Sequence, residues 1–184
     1  GNAGPIAVSL DAFRQYQLES AWTWEHMALT RGRVCMGTPA LTDKINQTVQ
    51  SILCHDHRHL DNLLFETHKM RERLRTEFGT DNIWSLKHCR GGLVDVEFIC
   101  QYLSLKHAQN APDIIAANTV TAIQNLLRAG LMDPQDGEQL LQACMYMRDA
   151  QLLIRLCTDD RFSPQDAPAN LKKALTFAMK TENF

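Results

Sequence analysis

The chain has 184 residues, 45% of them apolar, and a formal net charge of −2. That length supports one domain with a sizeable core, and the near-neutral charge argues against a general nucleic-acid field. No stretch approaches the ~20 consecutive apolar residues that span a bilayer, and no charged–apolar–small pattern opens the chain, so neither a membrane span nor a signal peptide is expected.

Taken in chain order, residues 1–8 read as extended, with Pro5 among them. Ser9 is a good N-cap for a helix from about Leu10, which kinks before Ala21 and stops near Gly37-Thr38-Pro39. A second helical tract runs from about Ala40 to Phe78, with a break at His55-Asp56-His57-Arg58-His59. Gly79-Thr80-Asp81-Asn82 forms a turn, and 83–90 a short extended connector. A glycine-led helix runs from about Leu93 to Gln109 and is ended by Asn110 to Asp113. Further helices span about Ala116–Ala129, Gln135–Cys157 and Ala169–Lys180, punctuated by Gly130, Asp133-Pro134 and Ser163-Pro164 to Pro168. Roughly five or six long helices with short links predict an all-α fold, an antiparallel helical bundle. The six cysteines form no C-x-x-C pair and read as free core or surface thiols in a reducing cytoplasm.

The richest stretch is Gly91-Gly92-Leu93-Val94-Asp95-Val96-Glu97-Phe98. Two glycines open a helix whose apolar residues, from Leu93 to Leu105, cover most of the wheel. Only Glu97, Gln101 and Ser104 form a polar stripe. Such a helix is buried on nearly every side. Carboxylates on it must be paired, hydrogen-bonded or turned to a polar cleft. The glycines allow a sharp turn and close approach. The helix start offers N–H groups that attract anions, although two acids there compete with a bound phosphate. The plain alternative is that Asp95 caps the helix and Glu97 pairs with a core Arg or Lys.

A second group is Ala21-Trp22-Thr23-Trp24-Glu25-His26, continuing to Arg31-Gly32-Arg33. On one continuous helix, Thr23, His26, Thr30 and Arg33 share a polar arc. Glu25 and Arg31 fall on apolar faces, so each is expected to have a partner. That partner is either another helix of the bundle or a polar seam facing a second domain. Trp22, Trp24 and Trp84 read as core anchors.

These residues carry a resemblance. Ala21-Trp22-Thr23-Trp24-Glu25-His26-Met27-Ala28-Leu29, then Arg31 and Arg33, resembles the A-W-T-W-E-H-Q-A-L-x-R-A-R block of glutamine-synthetase adenylyltransferases. Leu86-Lys87, Gly91-Gly92-Leu93-Val94-Asp95-Val96-Glu97-Phe98-Ile99 and Gln101-Tyr102-Leu103 resemble that family's L-K-x3-G-G-[IL]-x-D-I-E-F-[IV]-x-Q-Y-L block. The two blocks stand in the family's order and spacing. Gly4-Pro5 followed by Ser9 resembles the segment just after the nucleotidyltransferase core. Arg90 stands where the family often has Pro, His88-Cys89 replace commoner polar residues, and Met27 replaces a frequent Gln.

The resemblance implies a two-part parent enzyme. One half attaches AMP from ATP to a tyrosine of glutamine synthetase, the other removes it, and each pairs a nucleotidyltransferase domain with a helical domain. The Trp-rich wording and Asp95 resemble the adenylylating half. Residues 1–8 would then be the tail of the nucleotidyltransferase domain and 9–184 the helical bundle. The implied partners are glutamine synthetase, the PII signal protein and the preceding nucleotidyltransferase domain; the implied compartment is the cytoplasm. Nucleotidyl transfer needs metal-bound carboxylates, which the family supplies from a G-S motif followed by D-x-D. This chain has neither; Asp159-Asp160 are adjacent. It is therefore expected to hold no catalytic or metal-ligating residue. Mg2+ and ATP are implied for the parent alone. Glu25, Arg31, Arg33, Lys87, Gly91, Gly92, Asp95 and Glu97 are expected to face a cleft toward the missing domain. The alternatives are a regulatory module sensing PII or glutamine, the helical domain of a PII uridylyltransferase-like protein, or a stand-alone binding domain, which predicts an exposed basic stripe that residue order does not reveal.

Two weaker features complete the reading. His55, His57 and His59 have partial metal-ligand spacing, with no acid or Cys to complete a site. Lys69, Arg71, Arg73 and Arg75, interleaved with Glu66, Glu72 and Glu77, read as an ordinary charged helix face.

Overall fold

The computed structural model describes residues 7–55, 60–158 and 162–180. Among them lie eight α-helices, one 3-10 turn and no strand. The helices are α1 (Leu10–Glu19), α2 (Thr23–Leu29), α3 (Pro39–Leu53), α4 (Leu60–Phe78), α5 (Leu93–His107), α6 (Thr119–Arg128), α7 (Pro134–Cys157) and α8 (Ala169–Ala178), with the 3-10 turn at Pro112–Ile114. The all-α expectation holds. No described helix is long and apolar enough to cross a membrane.

Local chemistry sets the boundaries. The Ser9 hydroxyl accepts from the Ala12 N–H at 3.2 Å, as an N-cap should. Thr38 does the same for Leu41 at 3.3 Å, with Pro39 at the first helical position. Asn118 and Asp133 cap α6 and α7. At the far end of α6, Gly130 (φ +66°) donates to Leu127 and Leu131 donates back to Leu126, each at 3.0 Å. That pair of bonds is a Schellman closure.

The first helical tract differs from expectation. Ser20 and Ala21 both donate to the Tyr16 carbonyl, Trp22 is extended, and α2 starts afresh at Thr23. It also stops at Leu29 rather than near Gly37. Arg31 and Gly32 donate to the carbonyls of Ala28 and Leu29, three residues back, and the Thr30 hydroxyl returns to Met27 at 2.7 Å. These short-range bonds tighten and close the last turn. Arg31 and Arg33 therefore leave the wheel that Thr23 and His26 occupy. The 83–90 connector is a run of turns rather than an extended segment: Ser85 donates to Asn82, and His88 and Cys89 both donate to Ser85.

Three buried clusters make the core. Leu93, Val96 and Cys100 of α5 pack with Ala122 and Ile123 of α6 and Cys144 of α7. Met27, Leu53, Leu63 and Leu105 join α2, α3, α4 and α5. Ala150, Phe162, Leu171 and Leu175 join α7 to α8 and receive Trp84 and Leu86. Helix α5 belongs to two clusters and packs on α2, α4, α6 and α7. It is the central helix, as its composition predicts.

Its facing is not as expected. Gln101 and Ser104, two of the three polar-stripe residues, are buried, with Ser104 only 2% exposed. Ile99 is 43% exposed, and Phe98, Tyr102 and Leu103 are only half-buried. A helix apolar nearly all round has no strong moment to choose its inner side. The approach of its neighbours chooses instead, and the small Ser104 and Cys100 fall on the buried side. Trp22 (67% exposed) and Trp24 are not core anchors, because the chain breaks beside them and Trp22 sits at the N-cap of α2. Trp84 does pack inward, edge-on to Phe162 with ring centroids 4.9 Å apart.

All six cysteines are free, and Cys100 and Cys144 are buried. Burial pushes the Cys100 thiol up to about 12, so it behaves as an apolar core residue.

Candidate functional site

The site begins with the two glycines. Gly91 adopts φ +76°, a left-handed conformation that favours glycine. Gly92 lies so close to the preceding turn that a Cβ there would stand 2.6 Å from the Leu86 carbonyl and 2.9 Å from that of Cys89. The loop thus folds flat against the start of α5. Its carbonyls take up the first amides of the helix: Leu93 donates to Leu86 at 2.8 Å and Val94 to Lys87 at 3.1 Å. These N–H groups are consequently not free to receive an anion, contrary to the expectation for a bare helix start.

Asp95 completes the closure. Its carboxylate accepts the Gly91 N–H at 2.7 Å and two bonds from the Arg71 guanidinium of α4, from Nε to Oδ1 and from Nη2 to Oδ2, the latter at 3.1 Å. This two-pronged grip suits Arg better than Lys. Burial pushes the Asp95 carboxyl up, but the Arg71 bond, the Gly91 N–H and the charges of Arg71 and Arg90 outweigh it and hold it below its ordinary value. Arg71, bonded to Asp95, is correspondingly raised.

Glu97 is matched by a different arginine. Arg31 Nη1 lies 2.7 Å from its carboxylate, and the Arg31 side chain remains 41% exposed. Glu25 stands apart from these pairs. It accepts from the Tyr16 hydroxyl and from the Trp22 N–H, both at 2.8 Å, and so ties α1 to the start of α2.

Two clefts border α7 and share Gln151. One, of about 480 Å³, is lined by Arg31, Arg33, Glu97, Asn118, Thr119, Cys144, Arg148 and Gln151, among others. The Cys144 thiol reports its electrostatics: burial raises its pKa, Arg148 and Arg31 oppose that, and Glu97 adds to it. Those charged groups line the same cleft as the thiol. The other cleft, of about 710 Å³, is lined by Lys87, His88, Arg155 and Gln151, with Phe78, Trp84 and Phe162 at its apolar side. Burial holds the His88 imidazole below its ordinary pKa, and the charges of Lys87, Arg71 and Arg155 depress it further. Gln151 borders both clefts.

The structure thus brings Arg31, Arg33 and Glu97 into one cleft and puts Lys87 in the next. Asp95 lies at the glycine turn with Arg71, and Glu25 lines neither cleft. Residue order did not single out Arg71, Arg148 or Arg155. Arg71 reads as part of an ordinary charged face, which it leaves by turning toward α5. The one signal for the others is their seven-residue spacing on α7, which puts them on one side of that helix. Asp95 and Glu97 are each committed to an arginine, so they do not form a magnesium-holding pair. Among the described residues no group of three or more His, Cys, Asp or Glu is placed to hold a metal ion. His57, His59 and the Asp159-Asp160 pair lie outside the described residues.

Comparison with known proteins adds a family. Residues 1–48 match the family model described as Glutamate-ammonia ligase adenylyltransferase, and residues 58–182 match that described as GlnD PII-uridylyltransferase. The second glycine-led block thus falls under the uridylyltransferase model. Over its full length the chain is 39% identical to a bifunctional glutamine synthetase adenylyltransferase/adenylyl-removing enzyme of Rhodopseudomonas palustris. The same comparison gives 36% for the enzyme so named in Bradyrhizobium diazoefficiens and 37% for that of Xanthobacter autotrophicus. In each case all of this chain is covered, but it spans only 18% of the relative. Continuous similarity across both blocks makes the conclusion plain: the chain belongs to the glutamine synthetase adenylyltransferase family, in the helical region related to the PII-uridylyltransferases.

Proposed function

We propose that this chain is the helical companion domain of an adenylyltransferase that moves AMP from ATP to a tyrosine of glutamine synthetase in nitrogen regulation. The observation that carries the reading is the full-length 39% identity to an enzyme named for that activity, running through the Trp-rich and glycine-led blocks. In this reading residues 1–8 end the preceding nucleotidyltransferase domain, and 9–184 form the bundle. The wording of the blocks supports the adenylylating half, and a cytoplasmic location follows from the substrate. The metal-bound carboxylates and the chemistry of transfer belong to the preceding domain. This domain contributes the exposed polar side of the clefts: Arg31, Arg33, Lys87 and Glu97 position substrate or flank the active site. The turn of Gly91, Gly92 and Asp95 holds that side in place.

A regulatory reading stands beside it, in which the domain receives the PII signal protein or glutamine. The uridylyltransferase model over residues 58–182 favours it, since that model is described by PII. The two separate by experiment. With the nucleotidyltransferase segment restored, Arg33→Ala and Lys87→Ala should lower AMP transfer per folded molecule without PII or glutamine present. Wild-type turnover in both, with only the response to PII or glutamine altered, would favour the regulatory reading. Transfer by the 184-residue chain alone, above a mock preparation, would overturn the companion-domain assignment.

A further inference from the structure

The chain carries more acid than base overall, yet the two clefts along α7 do not share that balance. Among the described residues their linings contain five permanently basic side chains, Arg31, Arg33, Lys87, Arg148 and Arg155, against the single carboxylate of Glu97. Arg31 is taken by Glu97, whereas Arg33, Lys87, Arg148 and Arg155 make no ion pair among the described residues. Four cations without an ion pair among the described residues, set along two clefts that share Gln151, repel each other. Such an arrangement gains from an anion that neutralises several of them together.

The surroundings specify what kind of anion. Gln151 borders both clefts and supplies a neutral donor between the charged groups. The α6 N-terminus opens at Asn118 and Thr119, adding a weak positive field. Burial, and then the charges of Lys87, Arg71 and Arg155, lower the His88 pKa and so favour its neutral, hydrogen-bonding form over a further cation. From Arg148 to Arg155 the helix rises by roughly 10 Å, which suits a few linked phosphates and is short for a nucleic-acid backbone. Trp84 is partly buried and packed edge-on against Phe162, so it is held as part of the core rather than displayed as a base-stacking platform.

We infer that this trough is a binding site for a small oligophosphate, with Arg33, Lys87, Arg148 and Arg155 as its phosphate contacts. The inference rests on the companion-domain reading only for the ligand's source, which is then the phosphate chain of a nucleotide rather than free inorganic phosphate. Binding itself needs no catalytic domain.

Calorimetric titration of the 184-residue chain tests it, with inorganic tripolyphosphate, orthophosphate, ATP and AMP at low salt, and an RNA oligonucleotide as comparison. Tripolyphosphate and ATP should bind, and more tightly than orthophosphate or AMP. Arg33→Gln with Arg148→Gln should weaken tripolyphosphate by about tenfold or more, since each removes charge-assisted bonds. Arg155→Gln should act in the same direction, and Arg73→Gln, on the exposed face of α4, should have no effect. Far-ultraviolet dichroism and thermal melting confirm that each variant is folded; Arg148→Lys serves where Arg148→Gln does not fold, and should retain part of the affinity. Absence of binding at millimolar tripolyphosphate, equal loss on Arg73→Gln, or tighter RNA binding through the same arginines would each overturn the assignment. Preference for ATP over tripolyphosphate identifies a nucleotide source; parity identifies a free phosphate chain. A chain that binds nothing while Arg33→Ala still slows transfer in the reconstituted enzyme would sink this inference and leave the companion-domain reading standing.

Discussion

Arg71 of α4 grips Asp95 of α5 through both carboxylate oxygens, while the same carboxylate receives the Gly91 amide. One side chain thereby locks two helices and the glycine turn together. Only 13% of the Arg71 side chain is exposed. Arg71→Ala should destabilise the chain by about 2–4 kcal/mol, because it strands a part-buried carboxylate. Arg71→Lys should recover only part of this, as an ammonium cannot make the fork. Urea unfolding of the variants checks the order. Equal stability of Arg71→Ala and the parent would show that the pair holds nothing together.

The Arg31–Glu97 pair predicts a different outcome. It is short but solvent-facing, with Arg31 41% exposed. Glu97→Gln should change stability by less than about 1 kcal/mol. It also removes the one carboxylate that lines the trough among the described residues, so its tripolyphosphate affinity should rise. A large loss of stability would mean that Glu97 is mainly a structural group.

The adjacent glycines should respond unequally to alanine. Gly91 has φ +76° but open space around its missing Cβ. Gly91→Ala should therefore cost about 1–2 kcal/mol, the strain of a left-handed residue. Gly92→Ala meets two backbone carbonyls and the Cys89 sulfur. Backbone cannot move aside cheaply, so it should cost about 3 kcal/mol and loosen the turn. Comparable melting temperatures for the two variants would contradict this reading.

Stability should fall with pH in two steps. His88 has a depressed folded pKa, first from burial and then from Lys87, Arg71 and Arg155. His107 is lowered in the same direction, by burial and then Lys106. The unfolded chain therefore takes up these protons first. Stability is retained above the ordinary histidine value of about 6.5 and is lost as pH falls through the folded values. Asp95 is also depressed in the folded state, so its contribution is present above about pH 4 and lost below it. Chemical denaturation across pH measures both steps. His88→Gln should shrink the first and leave the second; a first step of unchanged size would remove His88 from the account.

Much of this protein is legible from residue order. Ser9, Thr38-Pro39, Asn118 and Asp133-Pro134 announce helix starts because capping is settled within a few residues of chain. The apolar circumference of Leu93–Leu105 announces a central helix, since only burial on several sides tolerates it. The Trp-rich and glycine-led blocks, specific in order and spacing, are enough to place the family.

Other features existed only once the helices met. An α5 with little amphipathic bias carried no instruction about which side faces inward, so Ser104 went in and Ile99 came out. Asp95 and Glu97 demanded partners, but a charge cannot name its partner across a turn. Closure of α4 and α2 onto α5 supplied Arg71 and Arg31. The basic trough had the same origin. Arg33, Lys87, Arg148 and Arg155 are dispersed along a net-acidic chain, and their shared field arises because α7 runs past the glycine turn and the end of α2. Periodicity and capping act over a few residues, whereas a Coulomb field sums over whatever the tertiary fold brings near.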